Sequence, residues 1–90
     1  MKLFIFKPSE NWSWCGGGVV IAAKSFDRVE LVFRKNRYSG IVGAPYFFKT
    51  EEEVIKKRGE NTFDCWILVA EYDVPEIKEE KVILCNFNWA

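Results

Sequence analysis

Residues 62–73 read TFDCWILVAEYD. Extended backbone sends successive side chains to opposite faces. Phe63, Cys65, Ile67 and Val69 then share one face, and Trp66, Leu68, Ala70 and Tyr72 share the other. Both faces are apolar. Such a strand is stable where both faces are covered, which places it inside a sheet; an edge strand would be expected to carry more charge. A chain of 90 residues has room for one such sheet in a single domain spanning 1–90. A domain this size buries roughly 60–65% of its unfolded surface.

The rest of the chain supplies partners for that strand. KLFIFK (2–7) is a first strand ended by Pro8. PSENWSWCGG is rich in turn residues and reads as a loop. GVVIAAK (18–24) is a β-branched run and reads as a second strand. Ser25 is placed to cap a helix over 26–36, with Asp27 in its first turn. Phe26, Val29 and Phe33 recur at helical spacing, Val32 sits beside them, and Glu30 precedes Arg34 by one turn. RYSGIVGAP (37–45) is a glycine-bearing loop and YFFK a short strand. Thr50 and Glu53 have capping-box spacing at the head of EEEVIKKR. That segment runs from acid to base, with Glu52–Lys56 and Glu53–Lys57 one turn apart, and Gly59 suits its C-terminus. VPEIKEE is a polar connection, and KVILCNFNW is the last strand. The order is β-β-α-(β)-α-β-β. It predicts an α+β domain: a mostly antiparallel, four- to five-stranded sheet with two helices on one face and the last two strands as neighbours.

Composition narrows the function. Lys and Arg together number 13, as do Asp and Glu, so net charge is zero. A chain-wide electrostatic attraction to nucleic acid is absent, and nucleic acid is not an expected partner. No apolar run approaches the length of a membrane span. MKLFIFKPSE has a run of only four apolar residues before Lys7 and Pro8, too short for a secretory leader; the expected setting is cytoplasmic. Three cysteines, far apart in the chain, do not read as a disulfide framework. The absence of Gln beside abundant Glu and Lys leans toward a thermophile's composition.

Few chemistries fit the residues present. The chain has no His, which removes every Ser–His and Cys–His mechanism. Zinc sites need closely spaced Cys or His pairs, which the sequence lacks. A phosphate cradle needs a glycine loop opening a helix, whereas CGGG opens a strand pattern. The Glu51–Glu53 run is explained by the helix dipole. No carboxylate pair is forced into an apolar pocket, so no acid–base couple is named. The sequence therefore implies no catalytic residue, metal or cofactor.

Two clusters remain as ligand sites. Trp12, Trp14, Cys15, Gly16 and Gly17 crowd the largest and smallest side chains together. The tryptophans either cap the core or wall a pocket, and the general burial of large aromatics in small domains favours the core. Arg34, Lys35, Arg37 and the nearby Tyr38 form the basic–aromatic cluster, with an anion as its ligand; a dipole match at a helix end accounts for the same residues. The aromatic share is 17%, high for a small domain, so part of it is expected to cover a partner. The leading expectation is a non-enzymatic binding or self-association module, a homodimer with a small-ligand site near 12–17. One alternative is an enzyme using Cys15 activated by Lys or Arg. Another is single-stranded nucleic-acid binding on a face bearing Phe4, Phe6, Trp66, Tyr72, Phe87 and Trp89.

Overall fold

The computed structural model describes residues 1–9, 15–35, 46–59 and 65–89, with Cys15, Gly16 and 85–89 described by backbone alone. The apolar, β-branched runs form strands β1 (Lys2–Pro8), β2 (Cys15–Ala23), β3 (Tyr46–Phe48), β4 (Cys65–Asp73) and β5 (Lys81–Trp89). A 3-10 turn (Phe26–Arg28) leads into α1 (Val29–Lys35), and α2 (Glu51–Arg58) lies between β3 and β4. The fold is α+β, as the sequence implies. The five-stranded sheet has the order β3-β4-β1-β2-β5. β3 pairs parallel with β4, and all other pairings are antiparallel.

Two features differ from the expected arrangement. β4 and β5 are not neighbours, because the β1–β2 hairpin lies between them. Residues 74–80 cross the end of that hairpin and are tied down there. Arg28 grips Glu80 through Nε and Nη2, both at 2.6 Å, and the Lys24 N–H donates to the same carboxylate at 3.1 Å. The Val74 N–H donates to the Met1 carbonyl at 2.9 Å.

The second difference is that the helices pack on opposite faces. β2, β3 and β4 run parallel, so α1 and α2 are both crossover connections. One crossover moves outward from β2 to β3, and the other moves back from β3 to β4. Right-handed crossovers in opposite directions require opposite faces. The packing agrees. Val29, Val32 and Phe33 of α1 share a core with Phe4, Phe6, Val19, Ile21, Trp66 and Val82. Val54 of α2 packs with Phe48, Cys65 and Ile67, on the other side of β4.

Local signals explain the helix ends. The Thr50 hydroxyl accepts from the Glu53 N–H, and the Glu53 carboxylate lies 3.4 Å from the Lys49 N–H. Gly59 ends α2 at φ 62, its N–H donating to the Ile55 carbonyl at 2.9 Å; positive φ favours glycine. Ser25 does not cap with its side chain. Because the first turn is 3-10, its carbonyl instead accepts from the Arg28 N–H at 3.1 Å. One buried polar link was not foreseen: the Ser9 hydroxyl donates to Glu51 at 2.8 Å, joining the end of β1 to the first turn of α2.

Trp66 is fully buried, as its strand pattern requires. The same strand is interior only over Cys65–Ile67, where the three-residue β3 covers it. Beyond that point it has no outer neighbour among the described residues, and Val69 and Tyr72 are exposed.

Two outcomes are expected. Trp66→Ala should lower unfolding free energy by about 3–5 kcal/mol in urea titration; a loss under ~1 kcal/mol would show that the ring is not in the core. The second concerns pH. Arg28 and the Lys24 N–H hold the Glu80 carboxyl down at about 2, against an ordinary 4.5. The unfolded chain therefore takes the proton more readily. The stabilisation is complete above pH ~4.5 and is lost as pH falls toward about 2. The stability gap between wild type and Glu80→Gln should narrow across that window; a gap constant with pH would contradict it.

Candidate functional site

Sequence reasoning placed one ligand site at Trp12, Trp14, Cys15, Gly16 and Gly17. Trp12 and Trp14 lie outside the described residues. Cys15, Gly16 and Gly17 belong to β2, which begins earlier than the expected 18–24 strand; their backbones pair with Trp89, Asn88 and Phe87 of β5. Gly17 is exposed at φ 105, a conformation that suits glycine. The glycines thus belong to a strand ladder, and no helix follows them to form a phosphate cradle.

The second expected site divides in the same way. Arg37 and Tyr38 lie outside the described residues. Arg34 is on α1, and its Nη2 donates to Glu30 at 2.6 Å. That carboxylate lies one turn back on the same helix, so much of the Arg34 charge is already engaged. The aromatic surface for nucleic-acid stacking is also altered. Phe4, Phe6 and Trp66 are buried beneath α1, leaving only Tyr72 of the described rings exposed. Those rings face the core because their pleat is the one the outward crossover covers.

The structure brings out two places that the sequence does not single out. The first is the half of the sheet left bare by α2. Leu3, Ile5, Val20, Ala70, Tyr72 and Leu84 are cross-strand partners on this face. Beside them are Val69 and Ile83, each an unpaired residue at a β-bulge. Val69, Tyr72, Ile83 and Leu84 are 45–56% exposed. The described residues include only two other large hydrophobics exposed to this degree, Leu31 and Ile55 on the helices.

The second place is a groove of about 360 Å³ at the β3 edge, lined by Glu30, Tyr46, Phe47, Phe48, Lys57 and Arg58. The Arg58 guanidinium stacks on Tyr46 at 4.2 Å from the ring centre. Its Nε is buried without a hydrogen-bond partner. In sequence Arg58 was indistinguishable from a residue matching the helix dipole; its stacking depends on β3 and α2 meeting in space. A wider, open hollow of about 550 Å³ lies at the far end of the sheet, among Lys2, Lys24, Asp73 and Lys78.

Among the described residues, no group of His, Cys, Asp or Glu is arranged to hold a metal, and no helix is long and apolar enough to cross a membrane. Cys65 is fully buried and packed against Phe48, Val54 and Ile67. Comparison of the chain with family models, curated proteins and solved structures finds no match.

Burial at Cys65 has a direct consequence. In the native protein it should resist iodoacetamide and become labelled once urea unfolds the chain, as read by mass spectrometry of the peptide carrying it. Labelling at the rate of a small free thiol in native buffer would contradict the packing around it.

Proposed function

We propose that this protein is a self-association and binding module that forms a twofold homodimer through the helix-free half of its sheet. The observation that carries this reading is the apolar surface there: Val69, Tyr72, Ile83 and Leu84 are about half exposed on one layer. Together with Leu3, Ile5 and Val20 they amount to a patch on the order of several hundred Å², the size at which an apolar patch on a soluble protein is often an interaction site. The paired residues at the centre of that face carry no charge.

A second copy is the occupant that fits. The chain extends 38 × 27 × 18 Å, so a whole broad face is on the scale of the ~800 Å² per partner of a standard interface, and the helix-free half supplies its apolar part. Net charge is zero, so copies do not repel at long range. A flat apolar face meets itself about a twofold axis without needing a complementary shape elsewhere.

Light scattering on the eluted protein should give twice the chain mass at micromolar concentration. Leu84→Glu, which buries two unpaired carboxylates across the axis, should weaken the dimer about a hundredfold or more while leaving the circular dichroism spectrum unchanged. A wild-type monomer at high micromolar concentration overturns the reading. A dimer indifferent to Leu84→Glu overturns the choice of face.

A further inference from the structure

We propose that the groove along β3 takes a short extended peptide segment bearing a carboxylate, which adds to the sheet as a sixth strand. This is independent of the dimer: the groove lies at the opposite edge of the sheet from β5.

Three observations converge on it. First, β3 is the terminal strand, and among the described residues nothing pairs with its outer edge. An unpaired edge is a template for a further strand. Second, the edge is covered on both sides. Because the two crossovers lie on opposite faces, Glu30 of α1 and Lys57 and Arg58 of α2 line the same groove from above and below. A strand entering there would be enclosed on both faces.

Third, the charges are unequal. Glu30 is already bound to Arg34 at 2.6 Å, whereas Lys57 and Arg58 make no ion pair among the described residues. The Arg58 Nε–H is buried and unsatisfied, so the desolvated guanidinium lacks compensation within the chain, and an acceptor at its outer Nη atoms would offset that cost. The position over the Tyr46 ring, 4.2 Å from its centre, restrains the guanidinium, so less freedom is lost when a carboxylate binds it. Tyr46 and Phe48 pack on the α2 side and Phe47 on the α1 side. A bound strand alternates in the same way, so the side chain it turns toward α2 is the one that meets the cations. The carboxylate is either an acidic side chain of the segment or its C-terminal group.

The test uses three fluorescein-labelled hexapeptides of alternating valine and threonine. One carries a central glutamate and an amidated end, one has no glutamate and a free carboxyl end, and one is neutral throughout. Fluorescence anisotropy should show at least one acidic peptide binding about tenfold or more tightly than the neutral one, and which one does so identifies the source of the carboxylate. Arg58→Gln should remove that difference, and Lys57→Gln should reduce it, providing a second variant if the first alters folding. Amide resonances of Tyr46–Phe48 should shift on binding. Equal affinity for all three peptides, no effect of either variant, or shifts confined to other strands overturns the proposal. Competition by inorganic phosphate as strong as by the acidic peptide also overturns it, because it would mark a simple anion site.

Discussion

Two parallel crossovers run in opposite directions across one sheet, and the rest of the molecule follows from their handedness. From β2 the chain must reach the far edge at β3, then step back one place to β4. Right-handed connections place the first helix on one face and the second on the other. Among the described residues no third helix completes either layer. α1 covers the centre of its face, where Phe4, Phe6, Ile21 and Trp66 form the main core. α2 covers only the corner formed by Phe48, Cys65 and Ile67. The bare apolar half of the second face and the groove at the β3 edge are both products of that division.

Much of this was legible residue by residue. The alternation around Trp66 required a buried strand, Phe26, Val29 and Phe33 gave the side of the helix that meets the core, and Thr50, Glu53 and Gly59 gave the ends of α2. What could not be read was which pleat each helix would cover. β4 is apolar on both faces, so its pattern is compatible with helices on either. The placement of β5 beyond the hairpin rests on its long-range ladder with β2, and the connection that leads to it is pinned by Arg28 and Glu80; neither has a local signature. Of the expected site residues, Arg34 was correctly read as pairing with Glu30, and that pairing is what diminishes it as an anion ligand. Arg58 carries the more available charge because β3 brings Tyr46 beneath it.

The Arg28–Glu80 pair also explains how a polar connection can be held in place with little burial of its own. Residues 74–80 cross two strand ends, and their described side chains are exposed or half-buried. A two-pronged ion pair with a backbone N–H on the same carboxylate gives directional restraint where hydrophobic contact is scarce. Surface ion pairs commonly contribute little; this one differs in having two short hydrogen bonds and a partly enclosed carboxylate.

The two bulges bear on how the bare face is used. A bulge inserts one residue that the ladder does not constrain, so a polar side chain could sit there without loss of pairing. Instead the extra residues are Val69 on β4 and Ile83 on β5, both exposed and apolar. They flank the central hairpin from either side and widen the apolar surface rather than interrupting it. The groove, by contrast, is bounded by charge and lies beyond α2. The face suits a flat, self-complementary contact, while the edge suits a narrow, directional one. The two lie toward opposite edges of the sheet, the apolar surface reaching β5 and the groove lying outside β3.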